Sequence, residues 1–307
     1  MIGCARSGWP RPRTRIAATT PDPLELPPAT RTRFAPAPTG LLHLGHVANA
    51  LWVWGAARAT GAAVLLRIED HDRQRSRPAY DAAILENLAW LGFVADAGPV
   101  RQTDADAVAA YREAIDGLAA RDLVYRCGCS RATFAAWARE HGREWTGPGC
   151  PGACRTRTLP ADATASLRVA LGEGAESFED LLVGHQTGEP AATGDLVVRD
   201  RSGNWTYGFA VVVDDLRHGI DLVVRGEDLL TDTARQIRLG RLLGRAEPPR
   251  LLHHPLIRKP SGAKLSKSDG DTGVRDLRAA GWTPHAVRSE AVHQALIPSR
   301  IAEAASA

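Results

Sequence analysis

The sequence predicts an α/β chain built on a doubly wound parallel sheet, with a small cysteine-rich insert and a short helical C-terminal tail. Three observations support this. Between residues 32 and 120, apolar runs of strand length alternate with amphipathic stretches of helical length, the β-α-β-α order that builds parallel sheets. Residues 127–157 interrupt that alternation with cysteine, glycine and proline. After a Gly- and Ser-rich stretch near residue 265, only two short helical patterns remain.

The elements follow in chain order. Residues 1–30 hold Arg6, Arg11, Arg13, Arg15 and six prolines with no hydrophobic period, which reads as a disordered leader or a start codon placed too early. An organellar presequence fits less well, because proline-rich chain makes a poor amphipathic helix. A short strand begins at 33–35, and a helix over 47–58 stops near Gly61. Residues 64–70 form a buried strand with Glu69 and Asp70 at its carboxyl end. Helices follow over 80–91, stopped at Gly92, and over 104–120. Ligands in such sheets sit beyond the carboxyl ends of strands, where residues 36–40 and Glu69 fall. Residues 195–200, 205–215 and 221–225 read as strands, with Ser202-Gly203-Asn204 as a hairpin turn. A helix over 231–243 takes Thr231 as its N-cap, and 274–280 and 285–296 form the tail. The expected division is a leader over 1–30, a Rossmann-like main domain over 31–250 with its insert at about 125–157, and a lysine-bearing loop and tail over 251–307.

The chain has 307 residues, enough to bury a sizeable core, and its net charge of +3 is too balanced to announce nucleic-acid binding alone. It has no apolar run long enough for a membrane helix and no signal-type apolar core near the N-terminus. Four of its five cysteines cluster, which favours a reducing, cytoplasmic setting and a metal. Cys127, Cys129, Cys150 and Cys154 form two close pairs joined by a loop, the supply of soft ligands that tetrahedral zinc requires. Buried free thiols or disulfides are the competing readings, and the pairing favours one structural zinc. Arg126, Arg131, Arg155 and Arg157 are near enough in sequence to offset the thiolate charge, and Cys4 reads as a free thiol.

Two strings point to chemistry. His43-Leu44-Gly45-His46 precedes an apolar helix, whose N-terminus suits an anion. Lys264-Leu265-Ser266-Lys267-Ser268 places two lysines three apart in a Gly- and Ser-rich loop suited to closing over phosphates. Attack on an α-phosphate spreads negative charge that preorganised donors and cations stabilise. Either string alone reads better as a surface pair, since short motifs often match by chance. Together and in this order they resemble the HIGH and KMSKS signatures of class I aminoacyl-tRNA synthetases.

Further strings narrow the resemblance. Arg33-Phe34-Ala35-Pro36-Ala37-Pro38-Thr39-Gly40, Arg67-Ile68-Glu69-Asp70, the run from Tyr207 through Asp215, and Val224-Arg225-Gly226-Glu227-Asp228-Leu229 resemble segments of glutamyl- and glutaminyl-tRNA synthetases. With the cysteine pairs, they resemble most the glutamyl-Q tRNA(Asp) synthetases, truncated relatives that lack an anticodon-binding domain. The chain ends some forty residues after the lysine loop, which fits that truncation. The resemblance implies a class I Rossmann-like fold, glutamate activation by ATP with Mg²⁺, and transfer to queuosine in the anticodon loop of tRNA(Asp). It implies a monomer working without a membrane. Residue by residue it assigns catalysis to His43, His46, Lys264 and Lys267, with Gly45, His43 and Lys267 at ATP. Glutamate falls to Arg33 at its side-chain carboxylate, to Phe34, Ala35, Pro36 and Ala37 lining the pocket, to Glu69 at its α-ammonium, and to Tyr207 and Arg225. Ala37 stands where serine is common, Cys150 where tyrosine is, and Leu265 where methionine is. The competing expectations are a truncated synthetase charging a tRNA 3′ end, a silent tRNA-binding paralogue, and a ligase of a small molecule.

Overall fold

A computed structural model describes residues 26–142, 149–160, 164–258 and 273–306, apart from the side chains of Arg131 and Ala138. Strand β1 (Arg31–Phe34) leads to α1 (Leu44–Thr60), which Gly61 ends with a left-handed φ of 77°. Strand β2 (Ala63–Ile68) pairs parallel with β1, and after α2 (Pro78–Leu91) strand β3 (Ala97–Arg101) pairs parallel with β2. Helix α3 (Ala105–Ala119) leads into the insert, where β4 (Val124–Cys127) is followed by α4 (Arg131–Glu140). Strand β5 (Ser166–Val169) pairs antiparallel with β4.

Strands β6 (Glu176–Asp180) and β7 (Gly184–Gly188) form an antiparallel pair, and β8 (Leu196–Arg199) joins β5. Then come α5 (Tyr207–Arg217), β9 (Leu222–Gly226), a 3₁₀ turn (Glu227–Asp232), α6 (Thr233–Leu242) and β10 (Arg250–His254). Strand β10 lies parallel to both β6 and β9. The Asp221 amide donates to Arg31 O at 3.1 Å, which sets β9 beside β1. The parallel strands therefore run β3-β2-β1-β9-β10-β6, with β7 antiparallel at the edge. The expected doubly wound sheet is present, and its order reverses at β1 and β9.

Three expectations are corrected. Residues 205–215 are not a strand: Trp205 bridges Arg199 to close the predicted turn, and helix begins at Tyr207. The Val211-Val212-Val213 run favours strand by β-branching, but Phe209 through Asp215 is buried on all sides, and such a run carries no period that separates helix from strand. Helix α6 begins at Thr233 rather than Thr231, because a 3₁₀ turn occupies 227–232. The division between 250 and 251 falls inside β10, a strand between β6 and β9.

The tail helices α7 (Val274–Ala279), α8 (Pro284–Ala295) and α9 (Ser299–Ala304) belong to the main core through Val274, Val287, Ala291 and Ile301. Helix α9 approaches α1 so closely that a Cβ on Gly55 would lie 2.4 Å from Ile301 O. The expected leader lies mostly outside the described residues, but its end is part of the fold: Ala29 is buried and Thr30 N–H donates to the Asp221 carboxylate at 2.9 Å.

Candidate active site

The site forms at the carboxyl ends of β1, β2 and β9, where the strand order reverses. Arg33, buried on β1, donates from Nε to Asp215 at 3.1 Å and from Nη1 to Val224 O at 3.3 Å. Arg67 on β2 is wholly buried; it donates to Asp215 at 2.7 Å and to Glu69 at 3.1 Å. Two buried guanidiniums thus share one carboxylate. Burial alone would raise the Asp215 carboxyl, yet Arg33 and Arg67 hold it below the usual range. Glu69 goes the other way: burial lifts its carboxyl above the usual range despite Arg67, Arg33 and His71. A carboxylate so short of compensation suits a bound ammonium group.

Arg225 is the complementary feature. It is buried, and β9–β10 register sets it opposite His253. Its guanidinium donates to His253 Nε2 at 2.9 Å, Gln236 Oε1 at 2.5 Å and Thr233 Oγ1 at 2.7 Å. All three are neutral acceptors, and among the described residues no carboxylate makes an ion pair with Arg225. His253 must be neutral to accept from Arg225, so its Nδ1–H donates to Asp180 at 2.6 Å. Burial favours that neutral form, and lowers the Arg225 pKa from its usual value as well. Arginine nevertheless stays charged, which leaves a fixed buried cation with no carboxylate partner among the described residues. Tyr207, half-buried at the start of α5, is coupled electrostatically to Glu69, Arg225 and Arg33, and burial raises its phenol pKa.

The signature histidines form the N-terminus of α1. His43 is the N-cap: its Nδ1 accepts from Gly45 N–H at 3.1 Å, and its own N–H donates to His46 Nδ1 at 3.1 Å. The rings stand 4.0 Å apart. A Cβ on Gly45 would come within 2.9 Å of His43 Cε1, so glycine lets the capping ring lie over the first turn. Lys264 and Lys267 lie outside the described residues. Gly273 forms an antiparallel bridge with His43, and Val274 N–H donates to Leu42 O at 2.8 Å.

Arg33 and Glu69 meet through Asp215 and Arg67, and the half-buried Tyr207 is coupled electrostatically to both and to Arg225. Phe34 is different: its ring packs 5.3 Å from Trp54 in the core, so it offers only backbone to a pocket. Pro36 O accepts from Glu69 N–H at 3.0 Å and ties the two strand ends together, with Ala35 and Ala37 half-buried on either side. Sequence reasoning left Arg67, Asp215, His253 and Asp180 without roles. A signal existed for Arg67, because a charge inside an apolar strand requires a buried partner.

The cysteine cluster is present. Ligand atoms of Cys127, Cys129, Cys150 and Cys154 all lie within 4.8 Å of one another, with three of the four residues buried. Tetrahedral zinc–thiolate bonds of about 2.3 Å place sulfurs roughly 3.8 Å apart, so the donors fit. The thiols cannot all ionise together unaided. Cys150 is pushed up to about 12 by its hydrogen bond with Cys127 and by burial, and Cys129 to about 12 by burial and its contact with Cys154. A divalent cation removes that conflict. The arginine that helps hold down the Cys127 thiol, after its bond with Cys150, is the buried Arg168. Among the arginines expected to do so, Arg155 pairs with Asp195 at 2.7 Å and Arg126 bonds to Pro160 O at 2.7 Å. Arg157 is exposed.

Comparison with known proteins agrees with this geometry. The family model described as tRNA synthetases class I (E and Q), catalytic domain, matches residues 29–303. The chain therefore belongs to the class I glutamyl and glutaminyl tRNA synthetase family, whose members are ligases. It is 43% identical over 271 residues to a glutamyl-Q tRNA(Asp) synthetase of Symbiobacterium thermophilum, covering 83% of each chain. It is 41% identical over 262 residues to glutamate–tRNA ligase 1 of Xanthobacter autotrophicus, covering 84% of this chain but 55% of that one. The crystal structure of a glutamate–tRNA synthetase from Elizabethkingia anophelis superposes with a TM-score of 0.66 at 29% identity, over 82% of this chain and 54% of that one. The chain thus spans about half the length of the glutamate–tRNA ligases it matches. Among the described residues no helix is long and apolar enough to cross a membrane.

Proposed function

We propose that the protein activates L-glutamate with ATP and transfers the glutamyl group to queuosine in the anticodon loop of tRNA(Asp), acting as a cytoplasmic monomer with one structural zinc. The carrying observation is the buried Arg225 guanidinium, whose partners among the described residues are all neutral, coupled through Tyr207 to an under-compensated Glu69. Such a pocket presents a cation and an anion to one small zwitterion that carries an extra carboxylate. Arg33, held by Asp215, adds a second guanidinium at the side-chain end. The amino acid's α-carboxylate attacks the α-phosphorus of ATP and pyrophosphate leaves. His43 and His46 stand at the N-terminus of α1, where phosphate oxygens are favoured, and Lys264 and Lys267 are assigned to the developing charge. Mg²⁺ would supply charge neutralisation on the triphosphate.

The acceptor rests on the likeness to the glutamyl-Q tRNA(Asp) synthetase, which is matched over 83% of both chains. A second reading, charging of a tRNA 3′ end, is favoured by the 41% identity to a glutamate–tRNA ligase. The two separate cleanly in one assay with labelled glutamate and ATP. A queuosine-containing tRNA(Asp) trimmed of its 3′-terminal adenosine should accept glutamate, while an intact transcript lacking queuosine should not. The reverse pattern would establish 3′-end charging and overturn the queuosine assignment.

A further inference from the structure

We propose that His71 is the base that takes the proton from the attacking hydroxyl in the transfer step, and that Gln102 holds it in the tautomer this requires. The proposal rests on the reading above that a glutamyl group passes from an adenylate to an RNA hydroxyl.

His71 follows Glu69 by two residues, on the loop beyond β2. Its Nδ1 lies 2.5 Å from Gln102 Oε1, and Gln102 is buried. Gln102 Nε2 donates to Asp214 Oδ2 at 2.8 Å. Asp214 is wholly buried and also receives the Tyr111 hydroxyl at 2.7 Å and Arg217 Nε at 2.8 Å. Burial and the adjoining Asp214 raise the Tyr111 phenol pKa, so Tyr111 keeps its proton and donates. A carboxylate surrounded by donors only accepts, which fixes the amide with nitrogen toward Asp214 and oxygen toward His71. The His71 Nδ1 must then carry the hydrogen. In the neutral ring the lone pair falls on Nε2, and no described residue occupies that atom. The chain Asp214–Gln102–His71 orients the imidazole as a carboxylate does directly in a catalytic dyad, with an amide as relay.

The ring also stands in the right place. It lies 6.4 Å from the Tyr207 ring and is coupled electrostatically to Glu69. Glu69 is assigned to the substrate's α-ammonium, and the α-nitrogen and the reacting carbonyl share one carbon. A base coupled to Glu69 and near Tyr207 therefore faces the end of the substrate that carries the carbonyl. In the step itself, the acceptor oxygen bonds to the carbonyl carbon and the bond from that carbon to the phosphate oxygen of AMP breaks. The bonding pair leaves with AMP, and the acceptor's proton passes to Nε2 and then to solvent.

The test compares two rates in the full-length protein: glutamate-dependent pyrophosphate exchange, and single-turnover transfer from preformed adenylate to whichever RNA the wild type acylates. His71→Asn retains an N–H donor for Gln102 and removes the base; His71→Ala removes both. The ratio of transfer to exchange should fall about a hundredfold in each, the lower range for loss of a positioned base. In Gln102→Leu, which frees the ring, the ratio should fall about tenfold, the smaller loss expected when the base remains but its orientation does not. A His71→Asn ratio within threefold of wild type, or equal loss of both steps, overturns the proposal. Charging of a 3′ end by the wild type would overturn the queuosine acceptor and leave this comparison intact, because the base serves whichever hydroxyl attacks. A wild type that acylates no RNA would overturn both.

Discussion

Arg225 and Arg33 are the same residue type, and their neighbours separate them. Arg33 is held by the Asp215 carboxylate, whereas Arg225 is held by histidine, amide and hydroxyl acceptors. The first resembles a structural ion pair that also faces the pocket; the second is a buried charge that no carboxylate among the described residues pairs with. Arg225→Lys should raise the KM for glutamate roughly tenfold to a hundredfold, since a contact to a charged group is worth about 1.5–3 kcal/mol and one ammonium cannot replace a three-armed guanidinium. The KM for ATP should stay within about twofold, because the residues proposed for ATP are His43, Gly45 and Lys267 rather than Arg225. Steady-state exchange kinetics decide it, and equal weakening of both substrates would place Arg225 outside the glutamate pocket.

At the scale of elements, the insert is organised by its thiols. Strand β4 ends in Cys127, and Cys150 bridges to Asp195 beside β8, so the cluster ties two distant parts of one small sheet together. Asp195 in turn binds Arg155 and the Tyr125 hydroxyl. A metal here would fasten the insert without touching the groups around Arg225. Protein purified under reducing conditions should hold about one zinc per chain, matching one four-cysteine site. Cys150→Ala should lose that metal, and Cys150→Tyr, which restores an oxygen ligand, should keep more of it. Elemental analysis measures both; a metal-free wild type with a folded insert would remove the zinc assignment.

For the whole molecule, pH is the most direct lever. His254 joins β10 to α1: its ring stacks 5.8 Å from Trp52, Nδ1 lies 2.9 Å from Pro255 O, and Nε2 lies 3.0 Å from the Asn49 side-chain amide, whose nitrogen faces the ring when it is neutral. Burial pushes its pKa from 6.5 to about 4. The unfolded chain therefore takes up the proton first. The stability tied to neutral His254 is complete above pH 6.5 and is lost progressively down to about pH 4. The full loss is about 3 kcal/mol, at 1.36 kcal/mol for each tenfold change in proton affinity. His253 and His218, whose pKa values burial also lowers, act in the same direction. Urea midpoints should fall steadily between pH 7 and pH 4.5, and less steeply in His254→Gln. A chain equally stable across that range would show that these histidines are not held neutral.

Much of this molecule was legible in its residue order. The strand–helix alternation, Gly61 and Gly92 as helix ends, the His43–His46 string and the four cysteines are all local patterns, set by spacing and backbone preference. Their physical causes act within a few residues, so the sequence alone suffices to read them. The tertiary structure decided what depends on partners far along the chain. It made residues 207–217 a helix, where burial on every side left the residue order with no period to tell helix from strand. It turned the Phe34 ring into the core beside Trp54, leaving only its backbone for a pocket. It chose Arg168 as the buried cation acting on Cys127, and it joined Arg67 to Asp215 across 148 residues. A buried charge must find its counter-charge wherever the fold brings one, and only the packed chain specifies where that is.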